Sequence, residues 1–195
     1  NVAVGTSALT SNTIGLKNSA VGFGALFANT TGKNNSAFGY NTLGGNTTGI
    51  QNVAVGNNAM YSNTTGSNCV AIGHGALDAA NTGNFNVAIG RTSLTANTSG
   101  TQNQAMGVDS MENNTTGSYN TALGASALRF NVSGDYNTAL GNQALRNNTA
   151  SYNTGLGYQA AYNTTSGNDN IAIGRDSLYS NQTGTQNVAI GGLAL

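Results

Sequence analysis

Apolar and polar positions recur with one fixed period along the whole chain. A segment Asn-x-Ala-apolar-Gly closes on Gly5, Gly22, Gly39, Gly56, Gly73, Gly90, Gly107, Gly124, Gly141, Gly157, Gly174 and Gly191. The step is 17 residues throughout, except for 16 between Gly141 and Gly157. Such self-similarity is the signature of a repeat architecture. The residue before the Gly is always apolar, as in Val4, Phe38, Ile89, Met106 and Leu140. Two before it stands Ala, with Gly155 the exception. Four before it stands Asn: Asn1, Asn18, Asn35, Asn52, Asn86, Asn103, Asn120, Asn137, Asn153, Asn170 and Asn187, with Cys69 the exception. A small residue and then Leu or Met follow three and four places after the Gly, as in Ala8-Leu9, Ala59-Met60 and Ser93-Leu94, with Ala161 in place of Leu once. The unit ends in Asn-Thr-Thr-Gly or a variant, as at Asn29-Thr30-Thr31-Gly32.

The unit therefore holds two short β-compatible runs separated by turns. The first favours β-branched residues at its second position, such as Val2, Val53, Val87, Thr121, Ile171 and Val188, which suit a pleated surface. Asn-Thr-Thr-Gly is turn chemistry, because Asn can bond its own backbone and Gly takes positive φ without strain. A 17-residue unit is too short for a helical repeat pair, which needs about 33. One unit per turn predicts an all-β, parallel β-solenoid of twelve coils. Identical positions would stack ~4.8 Å apart, giving a rod ~55 Å long. The eleven Asn side chains would then form a structural ladder, each amide meeting the next. Residues 1–195 read as a single array and as an uncapped segment of a longer fibre, since solenoids need caps.

Successive strand residues face opposite ways. Ala3 and Val4 are neighbours, and so are Ala8 and Leu9, so both runs are apolar on both faces. Strands of that kind are buried on both sides. The expectation is that the Ala columns line a tight interior while the Val, Ile and Leu columns meet a partner chain; the reverse assignment is open. All twelve charged residues and His74 fall one, two, five, eleven or twelve places after the reference Gly, which marks an outer face independently.

Composition narrows the function classes. Charged residues make up 6 % of the chain, against about 25 % in ordinary domains, and the net charge is zero. That leaves no electrostatic handle for nucleic acid or an acidic membrane. No apolar stretch approaches the ~18 residues of a membrane span. One cysteine, Cys69, excludes an intrachain disulfide framework.

Asn-Val-Ala-Ile-Gly at 86–90 and 187–191 and Asn-Ile-Ala-Ile-Gly at 170–174 resemble the head repeats of trimeric autotransporter adhesins. The longer unit resembles repeats of phage tail fibres and bacterial surface fibres, over the whole chain. The resemblance implies a left-handed β-roll, a homotrimer of intertwined or side-by-side chains, and an attachment role outside the cell, at a cell surface or on a virion. The partner it implies, besides the chain itself, is a cell-surface glycan or a protein receptor.

Catalytic chemistry is not visible in the sequence. His74 is the only histidine, so no triad or His-based metal site forms within one chain. Asp109, Asp169 and Asp176 are isolated in sequence, without a partner carboxylate for acid–base work. No cofactor motif is present, and the sequons at Asn29, Asn46, Asn63 and Asn97 read as turns. Surface aromatics are the candidates for recognition. Tyr119, Tyr136 and Tyr152 precede the ladder Asn in three consecutive coils, and Phe23 and Tyr40 form a second column. Either set could bind a target or only stabilise the rod. The reading is a structural fibre or adhesin segment and not an enzyme. One alternative is an ice-binding solenoid using its Thr columns; a weaker one is a glycan-cleaving tail spike with a site between chains. The coil around residues 148–161, which combines the lost residue with Gly155 and Ala161, is expected to be irregular.

Overall fold

Each repeat contributes one three-residue strand. The computed structural model describes Asn1 to Leu195. The strands are β1 (Val2–Val4), β2 (Ser19–Val21), β3 (Ser36–Phe38), β4 (Val53–Val55), β5 (Val70–Ile72), β6 (Val87–Ile89), β7 (Gln104–Met106), β8 (Thr121–Leu123), β9 (Thr138–Leu140), β10 (Thr154–Leu156), β11 (Ile171–Ile173) and β12 (Val188–Ile190). All pair in parallel, in sequence order, as one sheet. The register follows the repeat, Ala54 opposite Ala71 and Val55 opposite Ile72. The protein is thus an all-β parallel solenoid with one coil per repeat.

Pairing does not stop at the strands. Leu26 donates its N–H to Thr42 O (3.0 Å), Ala28 to Gly44 O (2.9 Å) and Thr30 to Thr47 O (3.0 Å). Coil bonds to coil around much of the circuit, so turn backbone is satisfied as a sheet would satisfy it.

The second run is not a strand, which corrects the two-strand expectation. From Leu9 to Leu178, the residue four places after the Gly has φ between 49° and 53°. Alternation of faces holds only for extended backbone. In the left-handed conformation Leu turns inward beside the small residue before it. Leu26, Leu43, Leu77, Leu94, Leu128 and Leu145 are all fully buried, next to Ala25, Ala76, Ala127 and Ala144. The Leu column therefore fills the core and does not wait for a partner. The first run keeps its expected alternation: the Ala column from Ala20 to Ala172 is buried, while the apolar residues beside it stay half-exposed or exposed. Two further corners are left-handed, at the residue before the ladder Asn (Tyr119, φ 59°) and two after the Gly (Asp109, φ 56°). Such residues cost about 1–2 kcal/mol each and persist where surrounding structure dictates them. Here the stacked coils do so.

The 16-residue coil is irregular only in its turn. β9, β10 and β11 keep register through Thr138, Thr154 and Ile171. The lost residue is absorbed at 149–151, where Asn148 donates to Ala150 O two residues on (2.8 Å). In regular coils the bond spans three residues, as from Asn114 to Gly117 O (3.0 Å). Buried Asn131 Oδ1 and Thr164 Oγ1 are left without partners. Gly155 fits because a Cβ there would lie 3.0 Å from Leu145 Cγ. A second irregular coil, unexpected from the sequence, carries Ala79-Ala80 before Asn81 and Gly83 only two residues after it. Asn81 still takes its rung, donating to Asn63 Oδ1 (3.2 Å) and accepting from Asn97 (2.9 Å).

Candidate functional site

Two Asn columns run through the interior. The expected one, from Asn18 to Asn170, is buried, with Asn1 exposed and Asn187 half-buried at the two ends. Its bonds go mainly to backbone. Asn35 Nδ2 donates to Gly49 O (2.8 Å), and Asn35 Oδ1 accepts the N–H of Asn52 (3.0 Å). Amide-to-amide contacts join it only in the later coils, as from Asn137 to Asn120 (3.1 Å). The amide ladder proper is the column read as turn chemistry. Asn29 donates to Asn12, Asn46 to Asn29 and Asn63 to Asn46, each at 2.8 Å. The same Nδ2 atoms also bond the turn Gly carbonyls, as Asn46 does to Gly49 O (3.1 Å). Asn recurs there about as regularly as in the first column, and that regularity was the available signal.

Cys69 sits in the first column and is free and buried. Its N–H keeps the bond to Asn52 Oδ1 (3.0 Å), and its Sγ donates weakly to Gly83 O (3.6 Å). Burial pushes the thiol pKa up, opposed by the backbone N–H of Asn86. A neutral, buried thiol is chemically inert. What the coil lacks is an oxygen acceptor for Asn86. Cys69→Asn should supply it and raise stability by about 1 kcal/mol. Thermal unfolding checks this: the midpoint should rise by roughly 2–4 °C for a chain of this size.

Every charged residue lies outside the buried set. Asp109 and Glu112, distant in role by sequence, meet around Arg129 at 4.0 and 2.6 Å, and Asp109 also pairs with Arg91 at 3.2 Å. Arg175 pairs with Asp176 at 3.4 Å. Both carboxylates of the first group are thus held by guanidiniums. His74 is exposed, and no group of three potential metal-ligating side chains occurs. Asp78 is half-buried, and its Oδ1 has no partner. Burial raises its pKa, against the lowering effect of the Ser62 and Tyr61 backbone and of His74. With the folded value above the unfolded one, the contribution to stability is present below the unfolded pKa and is lost as pH rises through the folded pKa. Asp78→Asn should therefore raise the melting midpoint at pH ~7 and leave it unchanged near pH ~3. An equal gain at both values would assign the effect to packing.

The aromatic candidates form two stacks. Tyr119, Tyr136 and Tyr152 lie 4.8 and 5.2 Å apart with planes within 5°. Phe23 and Tyr40 stack at 5.2 Å. Their inner faces cover one another, so edges and the faces at the ends of each stack are what a target would meet. Beside them runs the outer face of the sheet. The residue before the Gly is apolar in all twelve coils, and Val55, Ile72, Met106, Leu123 and Leu156 are 37–49 % exposed. The Thr column is engaged with its own coil neighbours: Thr47 Oγ1 donates to Thr64 O (3.1 Å), Thr98 to Thr115 O (3.1 Å) and Thr115 to Val132 O (3.0 Å). Those hydroxyl protons are taken up by the next coil, whereas the second Thr of each pair, as Thr31, Thr48 and Thr116, makes no such bond. No helix is long and apolar enough to cross a membrane. A scan against protein-family models and searches of curated proteins and of solved structures return no match.

Proposed function

We propose that this chain is a structural segment of a fibre or stalk that serves surface attachment and has no catalytic role. It assembles side by side with copies of itself, as a homotrimer in a left-handed roll on the resemblance of its repeats to adhesin heads and tail fibres. That resemblance also places it outside the cell, at a cell surface or on a virion, with a glycan or protein receptor as the eventual target. The observation that carries the reading is the apolar column on the outer sheet face, unbroken from Val4 to Ile190. A monomeric soluble protein rarely leaves so long an apolar strip to water. Self-association would cover it, and a periodic strip is complementary to a copy with the same period.

Light scattering tests this. A mass three times 19.6 kDa is the expected result. Met106→Lys with Leu123→Lys should return monomer with unchanged far-ultraviolet dichroism, because both side chains point away from the core. A wild-type monomer at micromolar concentration would refute the proposal.

A further inference from the structure

Tyrosines are not spread evenly over the coils. Of the eight, Tyr119, Tyr136 and Tyr152 fall on three consecutive coils, each just before the ladder Asn. Their rings lie 4.8 and 5.2 Å apart, with planes within 5° of parallel. Tyr40 stacks on Phe23 instead, and neither Tyr61 nor Tyr158 has a ring stacked on it. Nearly parallel rings of one column hold their matching carbons about as far apart as their centroids. The carbon ortho to each hydroxyl therefore lies about 5 Å from its counterpart in the next coil.

These rings are also open to reagents. Tyr119, Tyr136 and Tyr152 are 44, 49 and 57 % exposed. Their hydroxyls bond to no protein group, whereas the Tyr162 oxygen accepts a bond from Arg146 (3.1 Å). Exposed side chains change rotamer within picoseconds to nanoseconds, so ring contact is reached by side-chain motion alone. Competing sites for an oxidant are few. Trp is absent, Cys69 is buried, and Met106 is the one exposed methionine.

We propose that this column is a covalent modification site, where a one-electron oxidant joins Tyr136 to Tyr119 or to Tyr152 as dityrosine. The oxidant is hydrogen peroxide acting through a haem peroxidase. Each phenol gives up one electron and its hydroxyl proton. The two phenoxyl radicals join through the carbons ortho to oxygen. The hydrogens on those two carbons then pass to the oxygens, which restores both rings and both hydroxyls. Peroxide takes the two electrons and two protons and leaves as two waters. The net change is one C–C bond formed and two hydrogens lost. The bond closes a loop of 17 or 16 residues and restricts the unfolded chain as a disulfide would. With a single cysteine, the chain has no disulfide to do this. Tyr136 and Tyr152 bracket the short coil, so a staple between them spans the irregular turn. This inference does not rest on the fibre reading.

Peroxidase and hydrogen peroxide, applied to the full 195-residue chain at low micromolar concentration, test it. The treated protein is denatured and cut with trypsin. Cleavage after Arg91, Arg129 and Arg146 leaves Tyr119 as the sole tyrosine of peptide 92–129 and Tyr136 as that of 130–146. The expected product is peptide 130–146 joined to 92–129, or to 147–175 through Tyr152, two hydrogens lighter than the sum. It should come from protein that still runs as a single chain in denaturing electrophoresis. Tyr136→Phe keeps the ring and the stack but not the phenol. It should lose both products by tenfold or more, with unchanged dichroism. Consumption of tyrosine without either product overturns the proposal, as do products confined to covalent dimers or larger species. Equally frequent joining of peptide 34–91, which carries the unstacked Tyr61, or of Tyr119 to Tyr152 in the Tyr136→Phe chain, overturns it too.

Discussion

Replacing Gly107 by Ala should cost the array roughly 4 kcal/mol or more and split its unfolding into two steps. Gly107 has φ 139°, a conformation that L residues rarely adopt. Strain is the smaller part. A Cβ there would lie 2.5 Å from Gly124 O and 2.6 Å from Gly124 C, inside the backbone of the next coil. That backbone cannot retreat, because Gly124 donates to Met106 O at 2.8 Å and the coils bond on through the sheet. A solenoid is stabilised by nearest-neighbour interfaces, so one broken interface near the middle uncouples the two halves. Urea unfolding followed by dichroism should then show two transitions where the parent shows one. Gly191→Ala is the control. It has nearly the same backbone, φ 126°, but nothing lies within 4 Å of its Cβ, so only the backbone strain of about 1–3 kcal/mol remains. Equal losses at the two sites would show that φ and not stacking demands the glycine.

Asn103→Ala should cost about 3 kcal/mol, the second largest effect of a single truncation. Asn103 is fully buried. Its Nδ2 donates to Gly117 O at 2.7 Å, and its Oδ1 accepts the Asn120 N–H at 3.1 Å. Alanine leaves the buried Asn120 N–H unpaired, worth about 1–3 kcal/mol, and removes one of the two donors to Gly117 O, which keeps the Asn114 amide at 3.0 Å. Asn103→Cys should fall between wild type and Ala, since the chain itself tolerates that exchange at Cys69 with the sulfur reaching Gly83 O at 3.6 Å. Chemical denaturation of the three proteins in parallel measures the order. If Asn103→Cys were no better than Asn103→Ala, the thiol would be acting as a plug and not as a donor.

The strands were legible because their signal is strictly periodic. Ala-apolar-Gly recurs in register, and every strand from β1 to β12 begins three residues before its Gly. The buried Asn column was legible on the same ground. The Leu column was misplaced because the sequence pattern assumes extended backbone, and nothing in Ala-Leu announces a left-handed Leu at φ near 50°. That conformation is imposed from outside the residue, by the coils above and below. The second Asn ladder was hidden by its neighbours: Asn-Thr-Thr-Gly is good turn chemistry, and a turn residue is not usually expected to donate to an amide 17 residues away. Glu112 and Arg129 share one column, five places after the Gly, but Asp109 joins them from a second column in the neighbouring coil, an adjacency that no single column shows.

The turn that swallows one residue at 149–151 has a consequence for how such a chain changes over generations. Mismatched recombination between any two repeats leaves a hybrid coil whose strand, core residues and both Asn rungs are already correct. Length then becomes a countable quantity, altered in whole units of about 5 Å, while small copying errors at a junction are taken up at a corner without disturbing the sheet. A gene of this design can act as a ruler that is easily recut, and populations carrying it should differ in the number of units sooner than in the residues that face inward.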